Sequence, residues 1–436
     1  MSIGPSKNAM NPKYERWRRR IFAVTWLTYI GFYFTRKSFS VAKVGMRGDM
    51  ALHLDKAVLG AIDAAYLIAY AIGQFVCGIA GDKCGVRKVV SAGMLVSIMA
   101  GFAMGASSAV LLFGIFWFAN GLAQSSGWAP LTKNVGCWFS RPERGRTYGW
   151  WCTNYAIGGL IASPFAGYVA DHFHNWRFAF FAPSLVLLGI LILFLVGQRD
   201  KPEDVGLCPV EEYHGQRMSE TTMQDGGERE TEGSWRAITA ALKNPTVLLL
   251  GFVYFFLKPT RYLILLWGPV LVNEKLGTGM GASGLISALF EAAGPLGVLL
   301  SGYASDKLFG ARRIPVCVIS LVFLSLVLFG FNRATHAGSP WCLGLMLFSI
   351  GFFLFGPDSL IVGTAAVDFG TKKGASTAAG LINSLGSIGA IFGGYLPGVL
   401  SQRYGWDLLF TGLAITILFA AVLLMPKWNA VPAREA

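Results

Sequence analysis

Charge is scarce in this chain. Only 14% of its 436 residues are Asp, Glu, Lys or Arg, while 54% are hydrophobic, and mean hydropathy is +0.51. An ordinary soluble domain is about one-quarter charged, so that class is excluded. The sequence also lacks a glycine-rich nucleotide loop, a zinc-ligand spacing and a nucleophile elbow, which leaves no enzyme and no cofactor indicated. The seven cysteines (77, 84, 137, 152, 208, 317, 342) show neither metal nor disulfide spacing and read as small core residues. No cleavable signal peptide is expected, because the basic N-terminal stretch leads into an apolar run without a small-residue cleavage site.

What the chain has in abundance is apolar runs. Twelve lie near 21–43, 57–80, 88–106, 108–131, 147–170, 176–197, 245–272, 279–304, 314–331, 340–362, 374–400 and 405–426. Each has about the 20 residues a membrane-spanning helix needs. The net charge of +13 is unevenly placed, and that placement outweighs any nucleic-acid reading. Lys13, Arg16, Arg18, Arg19 and Arg20 precede the first run, and loops on the same side carry Lys83, Arg87, Lys88, Arg141, Arg144, Arg146, Lys307, Arg312, Arg313, Lys372 and Lys373. The intervening loops are poor in cations, with Lys43, Arg47 and Lys56 the main exceptions. The positive-inside rule therefore puts both termini in the cytoplasm. The expected order is a basic tail over 1–20, a six-helix half over 21–197, a cytoplasmic linker over 198–243 with a surface helix around 234–243, a second six-helix half over 244–426, and a cytoplasmic tail over 427–436.

The halves repeat. Arg36 and Arg261 are 225 positions apart, Gly78-x3-Asp82-Lys83 and Gly302-x3-Asp306-Lys307 are 224 apart, and Pro130 and Pro357 are 227 apart. Parallel six-span repeats enclosing a polar cavity predict an all-α membrane protein of two pseudo-symmetric halves. Tyr29, Tyr33, Arg36 and Lys37 share one helical face, and Tyr254, Lys258, Arg261 and Tyr262 repeat its spacing. Each cation costs roughly 2.5–3.5 kcal/mol at the centre of a bilayer, so both faces belong against a wet or charged cavity. Arginine's fixed fork of donors suits phosphate or carboxylate oxygens. Pro259 would free backbone groups in span seven, tolerable beside a cavity. Lys37 could instead snorkel from a helix end. Three acids fall within spans: Asp63, Glu291 and Asp358. Each reads as a proton relay or a counter-ion; Lys37 is the favoured partner for Glu291, and Asp63 and Asp358 are also compatible with no special role. Trp150, Trp151, Asn154 and Tyr155 in span five, and Asn383 in span eleven, either pack or line the cavity.

The two Gly-x3-Asp-Lys loops resemble the loop signature of the major facilitator superfamily, which implies that Asp82, Lys83, Arg87, Asp306, Lys307 and Arg312 govern gating and do not touch substrate. Tyr14-Glu-Arg-Trp17-Arg-Arg, Phe34-Thr35-Arg36-Lys37-Ser38-Phe39, Arg261-Tyr262, Ser305-Asp306-Lys307-Leu308-Phe309 and Gly351-Phe-Phe-Leu-Phe-Gly356-Pro357 resemble the organophosphate:phosphate antiporter family over nearly the whole chain. The N-terminal wording is closest to the hexose-phosphate sensor and permease branch. The resemblance implies phosphate binding by Arg36 and Arg261, cavity positions for Tyr29, Tyr33 and Tyr70, and a Lys37–Glu291 pair. The chain departs from the well-known carriers at Gln74 (their lysine), Tyr155 (their histidine) and Leu266 (their aspartate). Lys258 adds a cation where the glycerol-3-phosphate carrier has tyrosine. The expected function is exchange of a phosphorylated metabolite for inorganic phosphate across the inner membrane by a monomer, needing neither ATP nor metal. Two alternatives stay open: a sensor of external sugar phosphate working with a membrane kinase, and a proton-coupled symporter for an organic anion.

Overall fold

The computed structural model describes residues 11–52, 54–213, 242–310, 312–365 and 375–430. Most of the expected linker, Lys372, Lys373 and the ends of both tails lie outside the described residues, as do the side chains of Asp82, Arg141 and Arg144. Among the described residues there are helices and no strands. A bilayer demands this, since a spanning segment must satisfy its own backbone donors and acceptors.

In the first half the spans are α1 (Pro12–Gly48), α2 (Lys56–Cys84), α3 (Val86–Ala106), α4 (Val110–Gln124, continued by Trp128–Trp138), α5 (Thr153–His172, led into by a helix Arg141–Trp151) and α6 (Phe178–Gly197). The second half has α7 (Pro245–Leu276), α8 (Met280–Ser287, Leu289–Ala292 and Gly294–Tyr303 in succession), α9 (Arg313–Thr335) and α10 (Pro340–Leu360). Its last two spans, α11 and α12, form a continuous stretch Ala375–Leu424 that folds back at Gly405, where φ is 75°. Only glycine adopts that angle readily. Among the described residues, eight helices are long and apolar enough to cross a membrane by length and composition. The turn at Gly405 divides one of them, polar residues keep α1 and the 20-residue α5 below that standard, and a break shortens α4 to 15 residues; the expected spans correspond to helices among the described residues.

Both halves open with the same device. Asn11 caps α1 by accepting from the Lys13 amide, and Asn244 caps α7 by accepting from Thr246 and Val247, with proline next in each case. The α1 helix starts inside the expected basic tail and, at 37 residues, is about 55 Å long at 1.5 Å per residue. It therefore outruns the roughly 30 Å hydrocarbon layer. The start of the expected linker is docked on the first half: Asn134 donates to the Arg199 and Asp200 carbonyls at 2.8 Å, and Tyr213 stacks on Tyr14 at 3.9 Å.

The halves touch at one end, the end remote from the two termini. There Gly60 of α2 lies against Tyr395 and Gly398 of α11, and Gly284 of α8 lies against Ser163 of α5, so close that added Cβ atoms would sit 2.8 and 2.6 Å from backbone oxygens. Small residues are what permits helix backbones to approach this closely in lipid. Asp171 at the end of α5 accepts from the Met280 and Gly281 amides at 3.0 and 2.7 Å, compensating the positive N-terminus of α8. Glu274 takes both Arg47 and Lys56 at 2.6 and 2.7 Å. Among the described residues, every hydrogen bond and ion pair between the halves lies from the middle of the bundle to this far end. The molecule is shut there, and among the described residues no hydrogen bond or ion pair joins the halves at the end that carries the termini.

Two expectations fail. Lys43, read as a loop residue, is fully buried inside α1, because the helix continues to Gly48. Of the cysteines read as core, only Cys317 is buried, and Cys84, Cys208 and Cys342 are exposed. The aromatic group of span five, open between packing and lining the cavity, divides: Trp151 packs, buried and donating to Thr25 at 3.1 Å, whereas Trp150 is exposed.

Candidate functional site

The first basic face comes from the middle of α1. Arg36 is buried, donates through Nε to Gln124 Oε1 at 3.3 Å, and leaves Nη2 without a partner. Its guanidinium carbon stands 4.9 Å from the Tyr33 ring centre and 5.0 Å from that of Tyr70, a cation–π arrangement. Gln124 is itself held by the Phe32 carbonyl, Thr35 and Ser97 at 2.8–3.2 Å, so the arginine leans on a fixed polar cluster. Tyr29 packs one turn earlier, against Tyr33, Trp128 and Trp151. Gln74 is half-buried, one turn along α2 from Tyr70.

The second face comes from α7. Pro259 lies inside the continuous α7 helix two residues before Arg261, which donates from Nη1 to Asp358 Oδ2 on α10 at 2.6 Å. Its guanidinium carbon lies 5.8 Å from the ring centre of Tyr155 on α5 and 5.0 Å from that of Phe355. Lys258 is buried with its ammonium 4.7 Å from the Tyr254 ring centre and 5.5 Å from that of Tyr262. Asn383, half-buried on α11, is one turn from Gly386, which presses against the Tyr254 ring. Tyr33 lies within electrostatic reach of both Arg36 and Arg261, and Lys258 within reach of both arginines and Asp358. The two faces therefore address one space.

Two further cations close the site toward the shut end. Lys37 Nζ is 2.6 Å from Glu291 Oε1 on α8 and 3.1 Å from the Leu265 carbonyl on α7. Lys43 pairs with Asp63 on α2, donates to the Leu266 carbonyl at 3.1 Å, and lies 4.1 Å from the Trp267 ring centre. Neither pair leaves charge for a ligand. Lys43 and Gln124 were missed as site residues in the sequence. Lys43 is two turns beyond Arg36 on the same face, and Gln124 is a polar residue near the end of an apolar run; both signals were available.

The central inventory is five buried or nearly buried cations, Arg36, Lys37, Lys43, Lys258 and Arg261, against three acids, Asp63, Glu291 and Asp358. Two positive charges are left over. The gating candidates lie elsewhere, at the end with the termini. Lys83 and Lys307 are exposed, Asp306 pairs with Arg313, Arg312 reaches Asn429 at 3.2 Å, and the Arg87 amide donates to Asp200 at 2.8 Å.

Comparison with known proteins agrees with this architecture. A probable hexose phosphate transport protein of Chlamydia muridarum is 34% identical over 96% of this chain and 92% of its own length. The glycerol-3-phosphate transporter of Bacillus subtilis is 31% identical over 96% and 94%, and the membrane sensor protein UhpC of Escherichia coli is 29% identical over 99% and 96%. Among solved structures, a bacterial homolog of the human lysosomal transporter Spinster superposes with a TM-score of 0.73 at 13% identity, covering 97% of this chain and 96% of that one. The family pattern of the Major Facilitator Superfamily matches residues 25–394. Paired six-helix halves, a polar centre and this match establish that the chain belongs to the Major Facilitator Superfamily of membrane transporters.

Proposed function

We propose that the protein exchanges a phosphorylated small metabolite, a sugar phosphate or glycerol 3-phosphate, for inorganic phosphate by alternating access. The observation that carries this is the pair of arginines, one per half, with Arg36 Nη2 unpartnered and Tyr33 within reach of both. Two residual positive charges suit a phosphomonoester dianion, and guanidinium forks suit its oxygens. The names of the relatives, hexose phosphate and glycerol-3-phosphate transporters, support the substrate class.

With both termini in the cytoplasm, where the positive-inside rule puts them, the end that carries them opens inward and the shut end faces outward. Binding of an anion between Arg36 and Arg261 removes their mutual repulsion and lets the halves close at that end. A single chain encloses the site, so a monomer suffices. The sensor reading keeps its support from the membrane sensor protein UhpC, similar over 99% of this chain. Against a proton-coupled symporter stands the pairing of Asp63, Glu291 and Asp358, each with a cation in this state.

The test is uptake of labelled phosphate into proteoliposomes with and without phosphate inside, competed by phosphorylated metabolites. Exchange that requires internal phosphate and is inhibited by a sugar phosphate or glycerol 3-phosphate supports the exchanger. Specific binding of a sugar phosphate with no exchange would replace it with the sensor. Uptake insensitive to internal phosphate but abolished by an uncoupler would replace it with the symporter.

A further inference from the structure

The site is symmetric in its arginines and asymmetric in what holds them. Arg36 leans on a neutral amide, Gln124, whereas Arg261 holds a carboxylate, Asp358. With the repeat offset of 227 that relates Pro130 to Pro357, the counterpart of Asp358 in the first half is Leu131. An acid at this point is thus a feature of one half alone. It follows Pro357 within α10 and is nine-tenths buried, with Oδ2 on Arg261 and Oδ1 making no hydrogen bond of good geometry, although the buried Tyr254 hydroxyl stands close enough to interact with this carboxylate and a ligand hydroxyl would have to join or displace it. A buried carboxylate oxygen left open is costly, and its complement is a donor.

We propose that Asp358 reads the organic end of the substrate, admitting phosphomonoesters whose far end offers hydroxyl donors and rejecting those that carry a second anion there. The inference rests on the organophosphate reading and narrows it. The phosphate lies toward Arg36, whose Nη2 is open, with Arg261 contributing its remaining N–H groups. The organic end then lies toward α10, where a hydroxyl satisfies Oδ1. A carboxylate or second phosphate in that place meets Asp358 as a like charge in a buried setting and also exceeds the two positive charges the site has to offer. Sites built to hydrogen-bond a hydroxyl discriminate more sharply than sites that sort by size.

Two ligand pairs isolate the effect, because their members differ only by CH2OH against carboxylate: glycerol 3-phosphate with 3-phosphoglycerate, and glucose 1-phosphate with glucuronic acid 1-phosphate. The experiment measures their inhibition of phosphate–phosphate exchange in proteoliposomes. In the wild type the hydroxylated member of at least one pair is expected to inhibit at a concentration at least tenfold below its carboxylated partner. Asp358→Asn and Asp358→Ser should bring that ratio below threefold through tighter binding of the carboxylated member, and Asp358→Glu should keep it. A variant that does not transport is read by ligand-induced shifts in Tm of the purified protein, which give the same ratio. Equal inhibition by both members in the wild type, inhibition by neither hydroxylated member, or an unchanged ratio in the folded neutral variants would each overturn the role of Asp358. Absence of any phosphate exchange or phosphate binding by the wild type would instead remove the organophosphate reading itself.

Discussion

Replacing Glu291 by glutamine should open the shut end of the molecule without unfolding it. Lys37 and Glu291 are 1% and 3% exposed, and their contact at 2.6 Å joins α1 of one half to α8 of the other. In Glu291→Gln the Lys37 ammonium loses its counter-charge and keeps only neutral acceptors, the Leu265 carbonyl at 3.1 Å and the glutamine amide oxygen. Stranding one member of a buried ion pair costs about 3–5 kcal/mol. That cost falls on this state alone, since parting the halves lets water reach Lys37. The equilibrium between the two states therefore moves by up to the same amount, and 3 kcal/mol is about a 100-fold change in ratio. Ser163, fully buried at the α5–α8 contact, reports it. A cysteine placed there, with Cys84, Cys208 and Cys342 replaced by serine because they are exposed, should react with a maleimide at least tenfold faster in the Glu291→Gln background. An unchanged rate in well-folded protein would show that the Lys37–Glu291 pair does not hold the far end shut.

Other outcomes follow from the same geometry. Arg36→Ala should weaken phosphate binding at least 100-fold by equilibrium binding to the purified protein, and Arg36→Lys should restore only part, because a point charge does not replace a fork; wild-type affinity in Arg36→Ala would sink the central site. Gly398→Ala would bring a Cβ within 2.3 Å of the Lys56 carbonyl, so it too should speed labelling of the Ser163→Cys reporter. Outside the apolar runs, Glu143 is partly buried, which raises its pKa, but hydrogen bonds from Arg18 and Ser140 prevail and bring it from the ordinary 4.5 to about 2. A depressed pKa means the ionised carboxylate favours the folded state above the ordinary value, and that contribution fades as pH falls toward the folded one. The difference in Tm between wild type and Glu143→Gln should accordingly be constant at neutral pH and shrink between pH 4.5 and 2; a constant difference would show that the Arg18–Glu143 contact adds nothing.

The helices and the two-fold repeat were legible because lipid permits few solutions: an apolar run of sufficient length must be a helix, and Arg36, Asp82 and Pro130 each found a counterpart at nearly one offset. The arginine faces were legible for the same reason, as cations in such runs have to be accounted for. Helix ends were not. Lys43 was read as a loop residue because a hydropathy window closes where polar residues begin, while α1 runs on to Gly48 under cover of α2 and α7. The partners of Arg261 and Lys43 were also out of reach, since nothing at position 358 or 63 announces which helix packs against it. Least legible was which end of the bundle is shut. Contacts such as Asp171 on the Met280 and Gly281 amides belong to one conformation, and a single sequence encodes both.

The charge inventory explains why an exchanger with this site would not cross empty. In the present state the halves are joined, among the described residues, only from the middle of the bundle to the far end, so the two uncompensated positive charges are not sealed from the end that carries the termini by contacts between the halves. To pass to the opposite state that end must close over them, and charges removed from water without a partner are costly. The Lys37–Glu291 and Lys43–Asp63 pairs do not help, because each is already neutral and each also contacts a carbonyl on α7 of the second half. Asp358 offsets one cation and no more. A bound dianion supplies the missing two charges, so closure is favoured with phosphate or with a phosphomonoester and opposed with neither. On this argument the strictness of exchange depends on the net charge of the site and not on any one residue. Lys258→Met, which lowers the residual charge from two to one, should therefore let the empty carrier return. Efflux of preloaded phosphate into phosphate-free medium should rise relative to exchange, by tenfold or more, while Arg36 still binds. If efflux stays as slow as in the wild type although binding persists, the charge count is not what couples the two halves of the cycle.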